Sequence, residues 1–199
     1  VMEFELGGCA AIQLEDQKMP KSCGHMDGKE VIPCIEHCRK IELAAQTRRE
    51  MLILARTDAA SVNGIGDAIQ RVNEYAKAGA DFVIVDAPRT VDELRRIGEE
   101  VTAPVMVNLV EGGKTPYLSK EELQRLGFSL VCYPGVCTLS VIHTLQMILR
   151  ELKTTGSTQK YKDLIGVLKD HNELVNDAYY RALEQKYIHG LPLPEEKEC

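Results

Sequence analysis

No apolar run in this chain approaches the roughly 20 residues needed to cross a bilayer; the longest, 51–55 and 82–85, belong inside a globular core. An excess of positive charge is also missing. Lys and Arg number 24 against 30 Asp and Glu, giving a net charge of −6. That balance excludes nucleic acid or an anionic membrane as the main partner. No charged-then-apolar leader opens the sequence, so nothing in it signals secretion. No glycine-rich phosphate loop follows the first apolar strand, which counts against a dinucleotide site. The cysteines, seven in all, are odd in number and lack the spacing of a disulfide scaffold. Free thiols in a reducing cytoplasm are expected. Cys34, His37 and Cys38 lie close in sequence, but no fourth ligand accompanies them. Zinc is therefore not expected there, and these cysteines read as packed helix residues.

What is present alternates regularly. Short apolar runs at 10–14, 51–55, 82–85, 105–107 and 130–132 read as strands. Between and after them, apolar residues at helical spacing predict helices at 34–48, 66–78, 91–101, 120–126 and 139–153. Five repeats of strand and helix spell βα units and a parallel sheet, and 199 residues suffice for a real core. Further on, 158–169 and 171–187 read as two more helices, the second carrying Tyr179 and Tyr180 on an amphipathic face. The expected organisation is a parallel (β/α) domain, barrel or doubly wound, over 1–156, a helical arm over 157–190 and a frayed tail over 191–199.

Glu15, Arg56, Asp86, Asn108 and Tyr133 each stand where a strand hands over to its loop. In barrels and in doubly wound sheets alike, that end carries the ligand site. A second feature lies just past the first strand, in Lys21-Ser22-Cys23-Gly24-His25. Lys and His beside a cysteine favour its thiolate, and Gly lets backbone N–H groups approach an anion. Glu15 and Asp16 supply the hard oxygens that Mg²⁺ prefers. A thiol acid–base, a basic anion clamp and a metal-seeking carboxylate together point to chemistry on a small polycarboxylate.

These pieces, with Ala55-Arg56-Thr57-Asp58-Ala59, Ala78-Gly79-Ala80-Asp81, the run from Asn108 through Glu111-Gly112-Gly113-Lys114-Thr115-Pro116, and Tyr133-Pro134, stand in the order found in the isocitrate lyase/phosphoenolpyruvate mutase superfamily. The chain resembles its methylisocitrate lyase, dimethylmalate lyase and oxaloacetate hydrolase branch. The resemblance implies an α/β fold of the (β/α)₈ TIM-barrel type, incomplete here. The five strands resemble the fourth to eighth, and about three βα units, with a serine–glycine loop and an aspartate-rich strand end, would precede them. It implies a Mg²⁺-dependent carbon–carbon lyase, with Mn²⁺ as the substitute ion, in a homodimer or homotetramer that exchanges C-terminal helices. Phosphorus–carbon mutase chemistry is the near alternative, and a catalytically incomplete barrel serving assembly is the other.

The resemblance also assigns roles. Cys23 would be the general acid–base thiol, Lys21 would lower its pKa, and Arg56 would meet carboxylate or enolate oxygens. Gly24, His25, Asn108, Asp86 and Glu111 would bind substrate, and Glu15 would meet the metal through water. Asp58 would brace the Arg56 loop. Two positions depart from the pattern: Ser22 replaces a basic residue, and Asp86 replaces the usual Glu.

Overall fold

The computed structural model describes residues 1–24, 26 and 28–189. Two compact units divide at Cys137. Unit one opens with a short helix α1 (Met2–Leu6), followed by β1 (Ala11–Glu15), α2 (Cys34–Thr47) and β2 (Leu52–Thr57). A 3₁₀ turn (Ala59–Ser61), α3 (Ile65–Lys77), β3 (Phe82–Val85), α4 (Val91–Glu100), β4 (Val105–Asn108), α5 (Lys120–Arg125) and β5 (Phe128–Cys132) complete it. All four strand pairings are parallel, in the spatial order β1-β2-β3-β4-β5. Strand order that never reverses is the pattern of a barrel wall, whereas a doubly wound sheet reverses at a switch point.

Local chemistry sets the helix starts. Thr90 Oγ1 accepts the Glu93 N–H at 3.0 Å to open α4. Ser119 and Glu122 form a reciprocal capping box at α5. Gly64, at φ 91°, turns the chain into α3 in a conformation that other residues avoid.

One face of the sheet makes the core. Ile53, Ala55, Val83, Val85, Val105 and Val107 alternate along β2, β3 and β4 and are all essentially buried. They pack with Ile41 and Ala44 of α2, Ile69, Val72 and Tyr75 of α3, Leu94 and Ile97 of α4, and Leu123 of α5. The helices thus cover a single face. Each fully buried aliphatic side chain contributes about 1.5–3 kcal/mol. The other face is left to the intervening residues, with polar ones at its carboxyl end.

The β4–β5 pairing is irregular. Val105 pairs with Phe128, yet Met106 pairs with Leu130, so Ser129 is an extra residue in β5. Phe128 and Val131 consequently both meet the core, although they are three positions apart.

Unit two contains most of α6 (Val136–Thr155), a 3₁₀ segment (Gln159–Leu164), α7 (Leu168–Leu174) and α8 (Asp177–His189). Leu139, Ile142, Leu145, Leu149 and Leu152 form an exposed apolar stripe on α6. The two helices expected over 158–169 and 171–187 are instead three shorter pieces. Asn176 takes a left-handed turn at φ 53° between α7 and α8, which no helix can pass through. Gln159–Leu164 winds as a 3₁₀ segment, with a non-helical kink at Tyr161. The tail expected over 191–199 lies outside the described residues. Among those residues, no helix is long and apolar enough to cross a membrane.

Candidate active site

Strand register explains how four distant polar residues meet. Glu15 of β1 and Arg56 of β2 are direct partners. Arg56 pairs with Ile84, and Asp86 lies two residues beyond it. Ile84 pairs with Met106, and Asn108 lies two beyond that. Side chains alternate along a strand, so Glu15, Arg56, Asp86 and Asn108 all emerge on the face away from the helices, at the carboxyl ends.

There they bond to one another. Arg56 forks onto Asp58, with Nε to Oδ2 at 2.9 Å and Nη2 to Oδ1 at 3.0 Å. The same Nη2 donates to Asp86 Oδ2 at 2.9 Å. Asn108 Nδ2 donates to the other Asp86 oxygen, also at 2.9 Å. Lys21 Nζ lies 2.6 Å from Glu15 Oε1, and Arg56 Nε lies 3.5 Å from Glu15 Oε2. Burial opposes the charge on Arg56, but Asp58, Asp86 and Glu15 outweigh it and hold the guanidinium firmly protonated. Three carboxylates against two cations leave the cluster with negative charge in excess.

The cysteine segment docks on this cluster. A Cβ built on Gly24 would fall 1.6 Å from Asp86 Oδ2 and 2.5 Å from Arg56 Nη2, so the backbone of residue 24 lies directly against that ion pair. Cys23 is therefore at the same end of the sheet as Arg56 and Glu15, and it is exposed. His25 lies outside the described residues. Glu111 sits in the turn after β4; its Oε2 and Thr115 Oγ1 are buried without hydrogen-bond partners. The 111–116 segment, expected to carry glycine hinges, turns at Gly112 with φ 71°.

Asp16, one residue after Glu15, faces the other way and has a different role. It is completely buried. Oδ2 accepts from Thr57 Oγ1 at 2.6 Å, Tyr75 Oη at 2.7 Å and Arg71 Nη1 at 3.3 Å, while Oδ1 accepts the Asp58 N–H at 2.9 Å. Burial and the Asp16 charge push the Tyr75 phenol well above its usual range, so it remains a donor. Behind it, His37 meets the Tyr75 ring edge-on at 4.7 Å. His37 is buried, and neither ring nitrogen has a hydrogen-bond partner. Burial and the neighbouring Cys34 push the Cys38 thiol up to about 11, while Cys132 and Cys137 are free thiols.

The residues fit a magnesium ion only in part. Among the described residues no group of three His, Cys, Asp or Glu is placed to hold a metal. Asp16 is committed to its buried donors, and Asp58 and Asp86 to Arg56 and Asn108. Glu15 Oε2, at the strand end, is buried with no hydrogen bond, as is Glu111 Oε2 in the turn after β4. One carboxylate suits Mg²⁺, which is commonly held through one or two carboxylates with water and substrate filling the other positions.

Sequence reasoning passed over the side chains that anchor these loops. The Gln17 amide brackets the backbone N–H and C=O of Ser22. Lys29 Nζ donates to the Gly24 carbonyl at 2.5 Å and to Ser61 Oγ at 2.8 Å. Gln17, beside Glu15 and Asp16, was a visible signal; for Lys29 the sequence held none.

A parallel sheet in unbroken order, with its polar cluster at the strands' carboxyl ends, matches one family in particular. The family described as "Phosphoenolpyruvate phosphomutase" matches residues 1–153. The chain belongs to it, within the isocitrate lyase/phosphoenolpyruvate mutase superfamily. Among its relatives, 2,3-dimethylmalate lyase of Eubacterium barkeri is 36% identical over 192 residues, covering 96% of this chain and 66% of the relative. The 2-methylisocitrate lyase of Aeropyrum pernix is also 36% identical, covering 94% of this chain and 59% of the relative. The chloroplastic carboxyvinyl-carboxyphosphonate phosphorylmutase of Arabidopsis thaliana is 38% identical, at 94% and 57% coverage. A crystal structure of 2,3-dimethylmalate lyase superposes with a TM-score of 0.83 at 23% identity, covering 92% of this chain and 62% of that one. The chain thus spans less than two thirds of the length of these relatives.

Proposed function

We propose that this chain forms part of the active site of a Mg²⁺-dependent carbon–carbon lyase. Its substrates would be small 2-hydroxy or 2-oxo polycarboxylates of the dimethylmalate or methylisocitrate kind. The observation that carries the proposal is the docking of Gly24 onto the Arg56–Asp86 pair, which brings a thiol to the strand-end cluster. Two relatives named as lyases at 36% identity support the substrate class.

In the reaction, Arg56 and Asn108 present N–H donors to the oxygen that carries charge as the carbon–carbon bond opens. Asp86 holds both donors, through Oδ2 and Oδ1, and so fixes the angle between them. The 2-hydroxyl gives up its proton to solvent, and cleavage leaves its carbon as the ketone of a 2-oxo acid. The bonding pair passes to the departing fragment as its enediolate, and the Cys23 thiol delivers a proton to that carbon. Lys21 would favour the Cys23 thiolate, Gly24 and His25 would hold a substrate carboxylate, and Glu111 would contribute a further polar contact from its turn. Mg²⁺, or Mn²⁺ in its place, would be met by Glu15 and would supply Lewis-acid stabilisation of developing oxyanion charge.

The sheet is proposed to be the fourth to eighth strands of a (β/α)₈ barrel. Residues 1–156 would carry the catalytic part, and 157–190 an arm packing on a partner subunit in a cytoplasmic dimer or tetramer. The exposed stripe on α6 supports the assembly. Two other readings each have an observation in their favour. Mutase chemistry is favoured by the 38% identity to a phosphorylmutase. A non-catalytic role in assembly is favoured by the lack of a three-ligand metal group among the described residues.

The test is release of 2-oxo acid from 2,3-dimethylmalate and 2-methylisocitrate, and of oxalate from oxaloacetate, with Mg²⁺ and with chelator. Cys23→Ser should lower turnover at least a hundredfold, the upper range of a positioned acid–base group being about 10⁴. Turnover unchanged by Cys23→Ser removes the thiol from the mechanism. Flat progress on all substrates removes the lyase reading for this chain.

A further inference from the structure

The segment that carries Cys23 leaves and re-enters the fold at one place. The Lys18 N–H donates to the Glu30 carbonyl at 2.9 Å, and Gln17 bridges to Val31 as an isolated antiparallel pair. Residues 18–30 therefore hang from a closed neck, and something other than chain connectivity must keep their far end on the strand cluster.

Two side chains grip this excursion on either side of the thiol. From the β1 side, the Gln17 amide takes both backbone groups of Ser22, with Nε2 to the carbonyl at 3.0 Å and Oε1 accepting the N–H. From the returning arm, Lys29 Nζ takes the Gly24 carbonyl and Ser61 Oγ. Ser61 Oγ in turn donates to the Asp58 carbonyl at 3.2 Å. Asp58 is the carboxylate on which Arg56 forks, so Lys29 ties the thiol segment to the turn that sets Arg56. Between the two gripped peptides only Cys23 remains.

We propose that Lys29 and Gln17 are positioning residues that hold the Cys23 segment docked on the Arg56–Asp86 pair. Neither is assigned a contact with substrate. The inference rests on the lyase reading for its effect on turnover, but its structural half does not. A charge-assisted hydrogen bond is roughly twice as strong as a neutral one, so loss of the Lys29 ammonium should shift docking by about ten- to a hundredfold.

The experiment compares wild type with Lys29→Met, Lys29→Arg and Gln17→Leu. Amide hydrogen exchange over 19–26 is read by mass spectrometry, beside the melting temperature and, where turnover is measurable, kcat and KM. Lys29→Met and Gln17→Leu should speed exchange over 19–26 about ten- to a hundredfold, with exchange in β2 and β3 and the melting temperature unchanged. Lys29→Arg should restore most of the protection. In turnover, kcat should fall with KM little changed. Exchange over 19–26 unchanged in both Lys29→Met and Gln17→Leu overturns the proposal. So does a rise in KM with kcat intact, which would make Lys29 a substrate contact. Altered exchange in a chain inactive on every substrate leaves the positioning role standing and defeats the lyase reading alone.

Discussion

Replacing Asp16 by Ala should cost far more than the loss of one surface carboxylate. The substitution strips acceptors from Thr57 Oγ1, Tyr75 Oη, Arg71 Nη1 and the Asp58 N–H, all in a site without exposure. Arg71 keeps Asp67 at 2.7 Å and the Ile32 carbonyl at 2.9 Å, so its charge is not stranded. Thr57 still accepts the Ala59 N–H through Oγ1. Breaking a buried charged pair on one side costs about 3–5 kcal/mol, and the retained Arg71 contacts place this case near the lower end. With a urea m-value of about 2 kcal/mol/M, the unfolding midpoint should fall by about 1.5 M. Asp16→Asn keeps one carbonyl acceptor and should cost about half as much. Tyr75→Phe removes the bond to Asp16 and the longer one accepted from Arg71 Nη1 at 3.4 Å, should cost about 1 kcal/mol, and should cost much less once Asp16 is Ala. Urea unfolding followed by far-ultraviolet circular dichroism reads wild type, the three single variants and the Asp16→Ala/Tyr75→Phe double variant. A midpoint for Asp16→Ala within about 0.3 M of wild type would refute the reasoning, as would full additivity with Tyr75→Phe.

Two further substitutions test the packing of the helices. Burial lowers the pKa of His37, although Asp16 and the Leu14 backbone favour its charged form. The unfolded chain then binds a proton the folded one lacks once the pH falls below about 6.5, so stability present above that pH is lost as acid is added. The loss should grow as the pH falls below about 6.5, and His37→Leu should flatten it; equal slopes in thermal melts of the two proteins would refute this. Gly98 in α4 leaves no room for a methyl, because a Cβ there would lie 1.6 Å from the Leu126 carbonyl oxygen. Gly98→Ala should destabilise by about 1–3 kcal/mol despite the better helix propensity of Ala, and a raised melting temperature would contradict the contact.

The sheet was legible because its strands are short apolar runs with polar ends, and a parallel sheet covered on one face tolerates little else. Runs expected at 51–55 and 105–107 extend by a residue or two to Leu52–Thr57 and Val105–Asn108, because Arg56 and Asn108 continue the ladder although they are polar. The rim residues Glu15, Arg56, Asp86 and Asn108 could be named from position alone. Their partners could not, since Arg56 meets Asp86 only through a register that spans thirty residues of sequence. Glu15 and Asp16 look equivalent as letters; the pleat sends one to the open face and buries the other. Lys29 was silent because its bonds to Gly24 and Ser61 exist only after the excursion has folded back. The break at Asn176 escaped notice because the apolar rhythm runs on across it while a single left-handed residue redirects the chain.

The surplus Ser129 has a consequence for the rim. Were Ser129 paired in the ladder like its neighbours, Phe128 in the core would force Leu130 and Cys132 onto the helix side as well, by strict two-residue alternation. The insertion resets the phase once, so that Val131 returns to the helices while Cys132 stands beside Asn108 on the open face. A single supernumerary position thereby decides which of two adjacent letters borders the polar rosette. Excising Ser129 would straighten the ladder and leave both where they are; drawing it into regular pairing would exchange their surroundings.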